Sequence, residues 1–373
     1  MEEFEVMSKK LAHRAPLTPQ HTNTSGLATR LRLWGAGVLT VALLTGCGLR
    51  LETSVPQPIV PDANELSRQA MVNDFVLIQQ DAQLTLEAGT LDPATTVALT
   101  AVLDRNAQYE ELLGGVYSSG LPQDDSEFET TASSLASSQT AAENHDGQAV
   151  IDRILASTGR LRTTLPLAQD PELARLESSM AIGNLLLAND LAAAGGLEFA
   201  PPQFLEEPIP ESVLDVISVH NTTALIQNED AAGYSLEVIA AMQEPDERAT
   251  ALQQAKVHRE TAQFWAATAG VSQTAQDPRT VAYALPFELT KDVPVASADE
   301  LSRLAHGLTT ELATGYVDLI ALAAPESRMF YFDNAIRVMF LDTAWGKPSG
   351  PLPYFSSSEQ FLAPTAETDS LTR

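Results

Sequence analysis

The fold is decided by residues 297–346, whose sequence is SADELSRLAHGLTTELATGYVDLIALAAPESRMFYFDNAIRVMFLDTAWG. Ser297 and Glu300 form a capping-box pattern, which is typical of the first turn of a helix. Apolar residues then recur at spacings of three and four, as on a helix with one buried face. Pro325 begins a second helix almost at once, and that helix ends before Gly346. The stretch therefore predicts an antiparallel helical hairpin.

The same periodicity predicts six further helices and no strand of useful length, so the fold class is all-α. The predicted ranges are 62–87, 93–113, 148–162, 170–196, 211–243 and 245–269. The last two are joined by a tight turn and form a second hairpin. The link between the two C-terminal hairpins has 27 residues, 270–296. A helix of this size is about 35 Å long, and such a link can run its whole length. The spacing favours a ferritin-like four-helix bundle, with a simple up-down bundle as the alternative.

Chain length predicts two folded parts. After a leader of 46 residues, 327 residues remain, which exceeds what one hydrophobic core usually serves. We expect an N-terminal, four-helix domain at 62–196, with a flexible polar insert at 118–147. A proline-rich linker at 197–210 leads to the bundle at 211–346, and 347–373 form a C-terminal tail.

The first 46 residues have the pattern of a signal peptide. Arg30 and Arg32 precede a mostly apolar run of 12 residues, Leu33–Leu44, which is too short to span a bilayer. Three glutamates precede Met7, and none of the residues from Met7 to Cys47 is acidic, so Met1 and Met7 both stand as candidate starts. The segment predicts export.

The only cysteine, Cys47, directly follows this segment. Leu44-Thr45-Gly46-Cys47 resembles the lipobox of bacterial lipoproteins, in which the cysteine becomes the lipid-bearing N-terminus after cleavage. The resemblance implies lipid attachment at Cys47, with palmitate-type chains inserted in the outer face of the cytoplasmic membrane. Residues 47–61 then form an extended tether. A single cysteine excludes internal disulfides and thiolate metal clusters.

The charge excludes nucleic acid as a partner. From Cys47 onwards the chain holds 17 Lys and Arg against 46 Asp and Glu, a net charge of −29. Nucleic acids and anionic head groups are bound by clustered Lys and Arg. We therefore expect contact with the membrane through the lipid, and another envelope protein as the candidate macromolecular partner.

Four polar residues fall in or beside the apolar stripes of the C-terminal helices: Glu229, His258, Glu311 and Asp333. Buried carboxylates must be paired, hydrogen-bonded or metal-bound. One interpretation is a structural network in which the glutamates bind His258, Arg259 or backbone groups. The other is a degenerate carboxylate and histidine site for iron or manganese. The Glu-x-x-His pairs of di-iron bundles do not occur, so no cofactor is the first expectation.

The C-terminal half resembles the ferritin-like family of unknown function numbered 4439, found in exported and lipoprotein-type bacterial proteins. The resemblance covers residues 221–346. It is carried by Glu229-Asp230-Ala231-Ala232-Gly233-Tyr234, His258-Arg259-Glu260, Tyr283-Ala284-Leu285-Pro286, Glu311 and Trp345. It implies a ferritin-like bundle and no particular activity.

Two functional hypotheses follow. The first is a non-enzymatic envelope lipoprotein that binds another envelope protein or a small apolar ligand, because no nucleophile motif, phosphate loop or zinc spacing occurs in the sequence. The second is a metal-binding domain built on the four inward polar residues.

Overall fold

The computed structural model describes residues 61–89, 91–116, 145–202, 219–284, 297–348 and 350–355. The predicted signal peptide, Cys47, the tether, nearly all of the polar insert and most of the proline-rich linker lie outside the described residues. The same holds for the start predicted for the helix at 211–243. These predictions stay predictions.

The N-terminal helices are α1 (Ala63–Ala88), α2 (Pro93–Leu112), α3 (Gly147–Thr164) and α4 (Pro171–Gly195), with a 3-10 turn at Leu165–Leu167 after α3. An aspartate precedes each helix, and its side chain accepts hydrogen bonds from backbone N–H groups of the first turn. Such caps replace hydrogen bonds that the first turn lacks. Local sequence therefore fixes where these helices begin.

The C-terminal helices are α5 (Val219–Ala241), α6 (Pro245–Thr268), α7 (Ala298–Leu322) and α8 (Pro325–Asp342). Ser297 and Glu300 form both hydrogen bonds of the predicted capping box. No strand occurs in the described ranges, which confirms the all-α prediction. None of the described helices is long and apolar enough to cross a membrane.

The direction of α7 relative to α5 follows from their contacts. Glu229, near the middle of α5, accepts a hydrogen bond from Tyr316 in the second half of α7. Ile239, near the end of α5, packs in one small core cluster with Leu301 at the start of α7. Residue numbers rise along one helix as they fall along the other, so α5 and α7 are antiparallel.

Helices α6 and α8 are also antiparallel neighbours. The Gln254 amide donates a hydrogen bond of 2.8 Å to the Leu341 carbonyl, and the Trp265 ring lies 5.0 Å from the Phe330 ring. Helix α5 is antiparallel to α6 as well, because Arg248 donates a hydrogen bond to the Ala240 carbonyl while His258 contacts Glu229. Helices α6 and α7 therefore run in the same direction. Consecutive helices alternate in direction in a simple up-down bundle, so the shared direction of α6 and α7 confirms the ferritin-like arrangement.

One hydrophobic cluster includes residues of both sets of helices, from Met71 on α1 to Met339 on α8. Two ion pairs also join the sets: Arg162 contacts Asp333 at 2.9 Å, and Arg175 contacts Asp318 at 2.7 Å. The division into two domains stays a prediction, but the two sets of helices share this core.

A C-terminal strap, residues 350–355, lies across α2 and α4. The Tyr109 hydroxyl donates a hydrogen bond of 2.6 Å to the Pro351 carbonyl, and Ser179 donates one of 2.7 Å to the Pro353 carbonyl. A Cβ atom on Gly183 would lie 2.1 Å from the Tyr109 hydroxyl, so this close approach requires glycine. The strap extends the core contacts beyond the last helix, into the region predicted as a tail.

Candidate functional site

A buried chain of polar side chains crosses the middle of the C-terminal bundle. The Nδ1 atom of His258 on α6 lies 2.7 Å from a carboxylate oxygen of Glu229 on α5. The other oxygen of Glu229 accepts a hydrogen bond from the Tyr316 hydroxyl, which in turn accepts one of 3.1 Å from the Trp265 indole. Each of these four residues is at most 1% exposed. The chain satisfies Glu229 without any solvent contact.

The electrostatics of this chain keep the tyrosine protonated. Burial raises the pKa of the Tyr316 hydroxyl well above its usual range, and the neighbouring Glu229 carboxylate raises it further. The hydroxyl is therefore a permanent donor to Glu229. At the other end, the Nε2 atom of His258 is buried and has no hydrogen-bond partner within the described part of the chain.

Arg259 belongs to a separate network on the rim of the bundle. Its guanidinium contacts Asp230 at 2.6 Å and Glu237 at 3.0 Å. The Tyr283 hydroxyl, from the middle of the link between α6 and α7, donates a hydrogen bond of 2.8 Å to Asp230. Glu229 takes no part in these bonds. Of the alternative partners considered for Glu229, the structure brings His258 into contact with it and leaves Arg259 with Asp230, because adjacent residues on a helix point about 100° apart.

Glu311 and Asp333 do not join the chain either. Glu311 is exposed, and the next residue, Leu312, takes the buried position on α7. Asp333 faces the N-terminal helices, where it forms the ion pair with Arg162 of α3. Glu229 and His258 are thus the two predicted site residues that the fold brings together.

The described residues contain no group of three or more His, Cys, Asp or Glu side chains placed to hold a metal ion. Glu229 and His258 supply one carboxylate and one imidazole, and each carboxylate oxygen of Glu229 already contacts one partner, His258 or Tyr316. Iron or manganese binding stays a prediction.

A second polar cluster surrounds Asp342, at the end of α8. Its buried carboxylate lies 2.6 Å from His306 Nδ1 and accepts hydrogen bonds from Thr310 at 3.2 Å and from the Tyr354 hydroxyl at 2.8 Å. Burial raises the pKa of Tyr354, and the Asp342 carboxylate raises it further. Sequence analysis missed this cluster because its members come from two helices and the strap. The one available signal was the pair of polar residues, His306 and Asp342, near stripe positions.

A cavity of about 380 Å³ lies between α1, α3 and the 3-10 turn. It is lined by Ala63, Leu66, Ser67, Ala70, Met71, Asn73, Asp74, Leu77, Arg160, Leu161, Thr163, Thr164, Leu167 and Ala168. Most of the lining is apolar, and its two charged residues, Asp74 and Arg160, form an ion pair of 2.6 Å. Concave apolar sites with a few polar groups are typical of small-molecule binding.

The buried carboxyl group of Glu177 contacts a residue of the cavity wall. Ser67, in the cavity wall, donates a hydrogen bond of 3.0 Å to the fully buried carboxylate of Glu177 on α4. Burial raises the pKa of Glu177 to about 7; the Ser67 hydrogen bond and Arg68 lower it, and Asp170 adds a smaller upward contribution. Neither the cavity nor Glu177 was predicted, since both depend on how α1, α3 and α4 pack.

The comparison with protein families matches residues 221–356 to the family described as Domain of unknown function (DUF4439). This part of the chain is a DUF4439 domain. The match confirms the predicted resemblance and runs ten residues beyond it, so the DUF4439 domain takes in the C-terminal strap and the Asp342 cluster. No curated protein and no solved structure matches the chain. The apolar cavity lies outside the DUF4439 domain, between helices that precede it.

Proposed function

We propose that this protein is a lipid-anchored cell-envelope protein that binds a small apolar ligand, without catalysing a reaction. The observation that carries the proposal is the cavity between α1 and α3. Its volume of about 380 Å³ is at the small end of the range for ligand pockets. An apolar ligand would gain free energy there by leaving water.

The rim of the cavity supports this role. Leu66 is 38% exposed and Leu167 is 71% exposed, and both line the cavity. Scattered exposed leucines are ordinary, but two that flank one apolar depression form a continuous surface for an apolar ligand. Leu167 also lies in the 3-10 turn, which links α3 to α4.

The proposed anchor would hold the cavity close to a membrane. Cys47 lies 16 residues before the first residue of α1, which forms one wall of the cavity. A fully extended segment of that length spans about 55 Å at most. Two or more acyl chains on Cys47 would provide stable membrane attachment. A ligand of membrane origin would then be within reach of the cavity.

To test the anchor, cells that express the chain are grown in medium that contains labelled palmitate. We expect label on the wild-type protein, recovery in the membrane fraction, and loss of both in the Cys47→Ser variant. An unlabelled wild-type protein in the soluble fraction would contradict the anchoring part of the proposal.

Binding is tested with N-phenyl-1-naphthylamine, an uncharged probe whose fluorescence rises in apolar surroundings. The full chain carrying Cys47→Ser is used, so that no attached lipid competes. We expect saturable binding, and an affinity at least tenfold lower after Ala70→Trp, because the indole would occupy the cavity. Ala70 is exposed, so the core remains intact.

The matched control is Ala101→Trp, at an exposed position of α2 that does not line the cavity. This variant should bind the probe like the parent chain. If the parent chain and both tryptophan variants bind the probe with equal affinity, the probe binds elsewhere and the cavity is not the ligand site.

A further inference from the structure

Arg160 is held in a fixed orientation at the cavity. Its Nε and Nη2 atoms contact the two oxygens of Asp74 at 3.2 and 2.6 Å. Ser157 donates a further hydrogen bond of 2.9 Å to the same carboxylate. The Asp74 side chain is 9% exposed, whereas the Arg160 side chain is 37% exposed. The buried carboxylate thus anchors one edge of the guanidinium, and the other edge faces outwards.

The outward edge offers unused donors. No described residue accepts a hydrogen bond from Nη1 of Arg160. Both Asp74 oxygens already accept hydrogen bonds from Ser157 or from the Nε and Nη2 atoms of Arg160. Asn73, which also lines the cavity, forms no side-chain hydrogen bond within the described ranges. Arginine presents paired N–H donors that suit carboxylate and phosphate oxygens. The polar part of the cavity therefore presents donors to a ligand.

We propose that the cavity takes a single-chain amphiphile with an anionic carboxylate or phosphate head, whose chain lies along the apolar wall and whose head binds Arg160. This inference rests on the proposed function and adds the ligand class. The small volume admits one alkyl chain in preference to a two-chain lipid. Anions are otherwise repelled by a chain with a net charge of −27, so an oriented guanidinium beside an apolar wall gives selective recognition.

The test displaces N-phenyl-1-naphthylamine from the full chain carrying Cys47→Ser, with four submicellar competitors that share a dodecyl chain. Laurate and dodecyl phosphate carry anionic heads, dodecanol is uncharged, and dodecyltrimethylammonium is cationic. We expect both anions, or the one whose head fits, to compete at least tenfold better than dodecanol, and the cation to compete least. The order of laurate and dodecyl phosphate distinguishes a carboxylate ligand from a phosphate ligand.

Two arginine variants locate the head group. In the Arg160→Gln variant, the affinities of laurate, dodecyl phosphate and dodecanol, measured by displacement of the probe, should lie within about threefold of one another. The variant should still bind the probe. Arg303→Gln, at an exposed arginine of α7, should preserve the preference. A thermal unfolding scan identifies any variant that has lost its fold, and the comparison of competitors on the parent chain stands without the variants.

The two proposals fail in different ways. If dodecanol competes as well as the two anions on the parent chain, the anionic head is overturned and the apolar ligand survives. If Arg160→Gln retains the full anion preference, Arg160 is not the head-group receptor. If the parent chain binds neither the probe nor any competitor, both proposals are overturned.

Discussion

Replacing Glu229 by alanine is expected to lower the free energy of unfolding by about 3 kcal/mol or more. The carboxylate is the acceptor for His258 and for the Tyr316 hydroxyl, and both partners are buried. Removing it leaves the Tyr316 O–H without an acceptor and the Nδ1 atom of His258 without a partner, each at a cost of about 1–3 kcal/mol. The Nε2 atom of His258 already has no hydrogen-bond partner among the described residues, so no nearby described group is available to replace the Glu229 carboxylate.

The matched control is Glu311→Ala on α7. Glu311 is exposed, and substitutions at such positions usually change stability by less than about 0.5 kcal/mol. Urea unfolding followed by helical circular dichroism measures both variants against the parent chain. Equal, small effects would show that the Glu229 chain contributes little to the bundle. A large effect of Glu311→Ala would mean that α7 is rotated from its described position.

The second large effect concerns Glu177 and pH. Its folded-state pKa is about 7, against an ordinary value of 4.5, because burial disfavours the charged carboxylate. Between these values the folded chain keeps a proton that the unfolded chain has released. The free energy of unfolding should therefore fall as pH rises from about 4.5 to 7, and this contribution should level off above that range. The total loss from this group is roughly 3 kcal/mol.

Glu177→Gln should abolish that component of the pH dependence, because an amide does not titrate and can still accept the Ser67 hydrogen bond. The variant should then gain stability relative to the parent chain as pH rises from 5 to 8. Glu111→Gln, at an exposed position of α2, should leave the pH profile unchanged. Parallel profiles for Glu177→Gln and the parent chain would show that Glu177 is not the titrating group.

The sequence alone determined the helices and their order. Their starts are local events: an aspartate or serine caps the first turn of five helices, and proline occupies the first position of several. The 27-residue link between two tight hairpins favoured the ferritin-like topology and left the up-down bundle open, and the helix directions in the structure decided between the two. Glu229 and His258 were both predicted from helical periodicity, because each lies within the apolar stripe of its helix.

Positions at the edge of a stripe were decided only by tertiary structure. Glu311 and Leu312 are adjacent, and a small rotation of α7 selects which of them is buried. Asp333 was predicted to point inwards, and it is buried, but its ion-pair partner Arg162 comes from the other set of helices. Helical periodicity defines an apolar side and carries no information about which distant helix will cover it.

Composition and local pattern thus predicted eight helices and several of their caps and favoured the bundle topology, because these depend on contacts within a few residues or on the length of a link. The packing of α1 against α3 and α4 created the cavity, the oriented Arg160 and the buried Glu177. The strap completed the cluster around Asp342. Those features arise where helices from distant segments pack together. The packing free energy depends on several segments at once, so no single stretch of sequence predicts it.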